Sequence, residues 1–244
     1  MQKKADIIYQ DEDMVVVNKP AGTLTIPGRS LEAGDSLLEL LNSEFEKCYT
    51  VHRLDQLTSG VVCFAKTKEA HQNLSMQFQE RRVKKIYQVL VEGNLDQDEG
   101  EINKPIGQHK TIAGKMTIAP KGKEALTFYK VVERFRNFTY LEADIKTGRT
   151  HQIRIHFQSI GHPLVVDSLY GKRDALFLSD IKTRGYRPGQ EEEVRPLMQR
   201  NTLHAAKLTL FHPTTGNEMT FEAPMPKDFR AVMNQLRKWG VKRV

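Results

Sequence analysis

The 244-residue chain predicts an α+β fold on a mostly antiparallel or mixed sheet, and three features lead there. Apolar, β-branched runs come in pairs around turn-forming residues, the pattern of hairpins. Four stretches keep an apolar stripe at helical spacing. Strands and helices do not alternate in the βαβ rhythm that a parallel sheet needs. No Gly/Ser-rich stretch reads as a linker, so one domain over residues 1–244 is expected.

The elements follow in chain order. "DIIYQDEDMVVVNKPAG" reads as two short strands around "QDED", stopped by Pro20 and Gly22. "DSLLELLNSEF" places Leu37, Leu38, Leu41 and Phe45 at helical spacing behind Asp35 as N-cap. "GVVCFAKT" is a buried strand, and its Thr67 caps a helix with Ala70, Leu74 and Phe78 on one stripe. "KIYQVLVEG" is a strand, and "LTFYKVVERFRNFTYLEADIKTG" a hairpin turning near Arg136 and Asn137. Ile153, Ile155 and Phe157 alternate as in a strand, but the end signals favour a helix over 150–160, capped by Thr150 and ended by Gly161 and Pro163, with Ile153, Phe157 and Ile160 on one face. A hairpin around "TTGN" and an amphipathic helix through Phe229, Val232, Met233 and Leu236 complete the chain. Two regions interrupt this order: an acid-free, loop-like stretch from Asn103 to Lys123, and a polar, mixed-charge segment from Lys172 to Asn201.

Composition narrows the functional classes. The formal charge of +7 and pI of about 9.3 favour a polyanionic partner. An aromatic content of 8% argues against a long stacking platform for single strands. Cys48 and Cys63 form no CxxC or disulfide framework, which points to a reducing cytoplasm. The N-terminus lacks the pattern of a signal peptide, and no apolar run approaches the ~20 residues of a membrane span. A monomer is the default oligomeric state.

Two polar clusters carry candidate chemistry. "TGRTHQIRIHFQSIGHP" places Arg154 one turn into its helix, able to face the core, and sets His151, His156 and His162 on different faces, unlike the one-face spacing of a zinc motif. "HRLDQLTSG", His52–Gly60, gathers His, Arg, Asp, Thr and Ser just before a strand. No GxSxG elbow surrounds Ser59, which reads as turn chemistry, and no phosphate-binding Gly-rich loop occurs. On the residues alone, Asp55 is first a turn cap or an ion-pair partner of Arg53 or Arg154, because paired carboxylates are common and catalytic ones rare. A catalytic carboxylate is the second reading.

The blocks taken together shift that balance. "HRLD…TSG" resembles the signature motif of the RluA family of RNA pseudouridine synthases, and "VVNKPAGTLTIPGR", "KKIYQVLVEG", "TGRTHQIRIHFQSIGHPLVVDSLYG" and "LHAAKLTLFHPTTGNEMTFEAP" are similar to further blocks of that family, in the same order. The N-terminal and C-terminal blocks look closest to the branch that gives the family its name. The resemblance implies an α/β catalytic domain on a long mixed sheet with flanking helices and a central cleft, without the N-terminal S4-type domain of some relatives. It implies Asp55 as catalytic carboxylate, Tyr87 packing on the target base, Arg154 pairing with Asp55 and keeping it ionised, and Arg53 helping to displace the nucleotide. Such an isomerisation needs no metal and no cofactor, and Asp55 acts as nucleophile or base. The partner it implies is RNA, a stem-loop of 23S rRNA and/or tRNA. Lys104, Lys110, Lys115, Lys121 and Lys123 are then candidates for contacts to its backbone. The 172–201 segment is longer than the resemblance leads one to expect and is a candidate for altering which RNA is accepted. The alternative is a noncatalytic RNA-binding protein or RNA chaperone on the same scaffold, and a base-removing glycosidase comes third.

Overall fold

The computed structural model describes residues 5–28, 36–182 and 195–241. The chain divides into two compact units, Met1–Tyr87 with His204–Pro224 and Gln88–Leu203 with Met225–Val244. Each is assembled from two separated stretches, so no single linker divides the sequence.

In the first unit β1 (Ile7–Gln10) and β2 (Met14–Lys19) form an antiparallel hairpin. The Asp11 carboxylate holds its turn by accepting the amides of Asp13 and Met14 at 2.9 and 2.8 Å. β2 pairs antiparallel with β4 (Ser59–Ala65), whose seven residues are all buried. β3 (Tyr49–Thr50) pairs with the end of β4, while β11 (Leu203–Phe211) runs parallel to its start and makes the sheet mixed. β12 (Glu218–Glu222) closes the predicted hairpin with β11. Gly60, at φ +119°, sits where β4 meets β11; an added Cβ would lie 2.1 Å from the Ala205 carbonyl oxygen.

Helix α1 (Leu37–Glu44) is capped by Ser36, which accepts the Glu39 amide while the Glu39 carboxylate accepts the Ser36 amide. The cap expected at Asp35 lies outside the described residues. Helix α2 (Lys68–Gln79) starts at Thr67 as predicted, its hydroxyl accepting the Ala70 amide at 3.1 Å. Ala70 and Leu74 pack against Met14, Val16, Val61 and Cys63.

β5 (Lys84–Glu92) begins in the first unit and runs into the second. There β9 (Leu126–Arg134) and β10 (Phe138–Ile145) make the predicted hairpin, with β6 (Glu99–Asn103) on β9. In sheet order the strands of the first unit run β1-β2-β4-β11 and those of the second β10-β9-β6. The stretch 103–123 is not wholly loop: β7 (Ile106–Gln108) and β8 (Met116–Ile118) pair there as a separate two-stranded sheet. Three-residue strands are too short to register as an alternation, so the sequence shows only their polar surroundings.

Among the described residues three helices complete this unit: α3 (Gln152–Ser159), α4 (Leu178–Ile181) and α5 (Lys227–Trp239). Phe229, Val232, Met233 and Leu236 of α5 are buried with Leu90, Phe138, Tyr140 and Val165. Each such side chain stabilises the fold by roughly 2 kcal/mol. The polar 172–201 segment reaches the same core, through Leu176, Ile181 and Met198, although its residues 183–194 lie outside the described set.

Candidate active site

The loop bearing Asp55 is fixed on both sides of that residue. Thr25 Oγ1 donates to the Leu54 carbonyl at 3.0 Å and accepts the Leu54 amide at 3.2 Å. Gln56 gives its carbonyl to the Gly22 amide at 2.8 Å and to the Lys19 ammonium at 3.0 Å. Lys19 is fully buried and also donates to the carbonyls of Pro20, at 3.0 Å, and Thr23, at 2.7 Å. Carbonyl dipoles converging on the ammonium compensate part of its lost hydration. The residues of "NKPAGTLT" therefore hold the residues of "HRLDQ", and Asp55 is partly exposed between two anchored neighbours. Its carbonyl accepts the Thr58 amide at 3.0 Å, closing the turn expected there.

His52 anchors the start of the same loop. Its Nε2 accepts the Cys63 amide at 3.0 Å, and its ring stacks on Phe78 at 4.6 Å. Burial, with the nearby Lys85 charge, pushes its pKa down to about 3, so the imidazole stays neutral and remains an acceptor. Arg53, one residue on, is exposed. Tyr87 lies on β5 and is 8% exposed. Its phenol is held above its ordinary pKa first by burial and then by the negative charge of Asp55, which places carboxylate and ring in one electrostatic neighbourhood. Ser59 is the buried first residue of β4 rather than a turn residue. Its hydroxyl is 2.9 Å from His204 Nδ1, while His204 Nε2 faces the Ala223 carbonyl at 3.1 Å, a bridge between strands.

Arg154 and the five lysines belong to the second unit. The N-cap of α3 is His151, in the left-handed region at φ 56°, and not Thr150. The helix start is stabilised from inside by Gln152, whose Oε1 accepts the Thr147 hydroxyl at 2.7 Å and the Arg149 amide at 3.0 Å. Gln152 through Phe157 are all buried, so the helix is surrounded rather than amphipathic. Arg154 is 6% exposed, and Asp167 chelates it: Nε to Oδ2 at 2.7 Å and NH2 to Oδ1 at 2.9 Å. Asp167 Oδ1 also accepts the amides of Leu169 and Tyr170 at 2.9 and 3.0 Å. Asp167 went unnoticed in the sequence because nothing but folding brings it back to the helix. The histidines of this cluster have separate partners: His156 the Thr127 hydroxyl and Lys104 carbonyl, His162 the Glu92 carbonyl, and His151 the Tyr170 hydroxyl.

The lysine stretch is not uniform. Lys110, Lys121 and Lys123 are exposed. Lys104 is partly buried and donates to the Ser159 carbonyl at 3.0 Å, near the end of α3, where a cation suits the helix dipole. Lys115 lies over the Tyr170 ring at 5.7 Å.

One loop-borne carboxylate beside a buried aromatic ring, on a basic chain, suits an enzyme that acts on a single base of a nucleic acid. Comparison with known proteins makes this specific. Residues 13–159 match the family described as RNA pseudouridylate synthase. Over 241 residues the chain is 37% identical to the ribosomal large subunit pseudouridine synthase D of Vibrio parahaemolyticus, covering 96% of this chain and 71% of that one. An RNA pseudouridine synthase of Aquifex aeolicus is 39% identical over 244 residues, covering 96% and 73%. Among solved structures, human RNA pseudouridylate synthase domain containing 1 superposes with a TM-score of 0.69 at 29% identity, covering 93% of this chain and 85% of that one. The chain belongs to the RNA pseudouridylate synthase family, and its activity is the isomerisation of uridine to pseudouridine in RNA.

Proposed function

We propose that the substrate is a stem-loop of large-subunit ribosomal RNA and that Asp55 is the catalytic carboxylate. The reaction breaks the N1–C1′ bond of a uridine, turns the uracil and rejoins it through C5, so that C5 loses its proton and N1 gains one. Ring and sugar are reunited, no water is activated, and one carboxylate suffices where a glycoside hydrolase uses two. The observation that carries this assignment is the anchoring of Leu54 and Gln56 around Asp55, with its charge felt at the Tyr87 phenol. A fixed carboxylate costs little reorganisation when the reacting base arrives.

Tyr87, neutral at all working pH, offers a face for a base drawn from its stack, worth ~1–3 kcal/mol. Arg154 is the partner that the family resemblance assigns to Asp55, and its chelation by Asp167 supports a fixed guanidinium. Arg53, exposed in the motif loop, is suited to displacing the nucleotide, and Lys110, Lys121 and Lys123 to holding phosphates. The name of the Vibrio relative favours large-subunit rRNA over tRNA. A monomer working in a reducing cytoplasm fits the two unpaired cysteines.

The test uses RNA from cells lacking this protein. After incubation with the purified chain, 23S rRNA digested to nucleosides gains pseudouridine at one position, with strand length unchanged and no free uracil. Pseudouridine appearing only in tRNA would contradict the substrate assignment, and free uracil would mark a glycosidase.

A further inference from the structure

In the second unit one side chain, Tyr170, touches both the lysine-bearing hairpin and the buried arginine. The Tyr170 hydroxyl accepts the Met116 amide at 2.8 Å, at the start of β8. The same hydroxyl lies 2.9 Å from His151 Nδ1, at the cap of α3, and the imidazole tautomer sets which of the two donates. The ring of the same residue lies 4.9 Å from the Arg154 guanidinium carbon, and its amide is held by Asp167, the carboxylate that chelates Arg154. Lys115 lies over the ring as well. Tyr170 is 4% exposed, packed with Ile106 of β7 and Ile155 of α3.

We propose that Tyr170 is a positioning residue that registers the β7–β8 hairpin against Arg154: its hydroxyl fixes the hairpin and its ring fixes the guanidinium. The inference rests on the reading of Arg154 as part of the catalytic machinery and of the hairpin as an RNA contact. RNA pressing on the hairpin is then felt at the arginine through one rigid side chain, and the two halves of the link are separable by mutation. Removing the hydroxyl leaves the ring over Arg154 and frees the hairpin, which loosens RNA engagement. Removing the ring disturbs the guanidinium and slows the chemical step.

Tyr170→Phe is expected to raise KM for RNA about three- to tenfold, the scale of one lost hydrogen bond, while kcat stays within about twofold. Tyr170→Leu lowers kcat as well. Trypsin cleavage of the RNA-free protein after Lys110 and Lys115 becomes faster in Tyr170→Phe than in wild type. Should Tyr170→Phe fail to fold, Met116→Pro is the second variant: it removes the amide that donates to Tyr170 and leaves the ring over Arg154, and the same rise in KM with kcat retained is expected. An unchanged KM overturns the proposal. So does a parallel loss of kcat and raised KM in Tyr170→Phe accompanied by a fall in Tm, which would make the residue a general packing group. RNA binding measured in the Asp55→Ala background keeps the test separate from the functional reading. A wild type that forms no pseudouridine sinks that reading, whereas weakened binding and faster cleavage caused by Tyr170→Phe still report the link.

Discussion

Lys19 and Gln56 meet at 3.0 Å, the ammonium of a fully buried lysine donating to the carbonyl of the residue that follows Asp55. The same ammonium reaches Pro20 and Thr23, so one side chain ties the segment after β2 to the loop that carries the carboxylate. Lys19→Met keeps most of the volume and removes the donor for three carbonyls. It is expected to cost about 2–4 kcal/mol of stability and to lower kcat by releasing the Asp55 loop. Urea denaturation gives the first quantity and single-turnover kinetics at saturating RNA the second; a destabilised variant of undiminished kcat would show that the anchor does not serve Asp55.

Arg154 depends on Asp167 in a comparable way. Asp167→Asn preserves the shape but removes the charge that balances a buried guanidinium, and a loss of about 3 kcal/mol is expected, with kcat falling at least tenfold. Asp167→Glu is expected to be poor as well, since the Leu169 and Tyr170 amides are placed for the shorter side chain. Thermal unfolding with activity measured on the folded fraction checks both.

Acid stability turns on His52 and Asp11. The folded pKa of His52 lies near 3, below its ordinary 6.5, so the unfolded chain binds a proton that the fold refuses. Stability is full above pH 6.5 and declines as pH falls toward 3, by about 2–3 kcal/mol at pH 4. Asp11 adds a lower window. Burial raises its pKa, but hydrogen bonds from Tyr9, the Met14 amide, His212 and the Asp13 amide outweigh that and hold it near 2. Its contribution is present above 3.8 and is lost as pH falls through 2. In His52→Gln, whose side-chain oxygen can accept the Cys63 amide, the slope between pH 6.5 and 4 flattens while that below pH 4 persists. Urea midpoints measured across this range decide it.

The resemblance carried by the sequence blocks singled out Asp55, Tyr87 and Arg154 as candidates, and periodicity placed most elements that carry them. β4 was legible as a continuous apolar run, and α2, the β9–β10 hairpin and α5 because each has a buried face and a turn or cap residue at its end. The start of α3 was not. Thr150 carries the usual cap signal, yet Gln152 reaches back to Thr147 and Arg149 and satisfies that end, leaving His151 as a left-handed cap. The roles of Lys19 and Asp167 were illegible for another reason. A lysine in "NKPAG" and an aspartate in "DSLYG" acquire a role only when the fold returns them to Gln56 and Arg154, 37 and 13 residues away.

The lysines of the 103–123 stretch separate into groups that the sequence could not distinguish. Lys104 is committed to Ser159, whereas Lys110, Lys121 and Lys123 face solvent. Replacing the last three by glutamine is expected to reduce the salt dependence of RNA binding, log K against log salt, by about 2. Replacing Lys104 alone should act on stability instead. Filter binding at several salt concentrations checks the slope, and an unaltered slope would assign these lysines to solvated surface.

If Asp55 performs the isomerisation on RNA, tritium at uracil C5 reports it directly, because the label leaves when C5 takes the place of N1 on the sugar. With C5-labelled rRNA from cells lacking the protein, wild type is expected to release tritium and Asp55→Ala to release none while binding the RNA with similar affinity. Release by Asp55→Ala at a rate near that of wild type would contradict the account, and binding by both without release from either would make the chain a noncatalytic binder of that RNA.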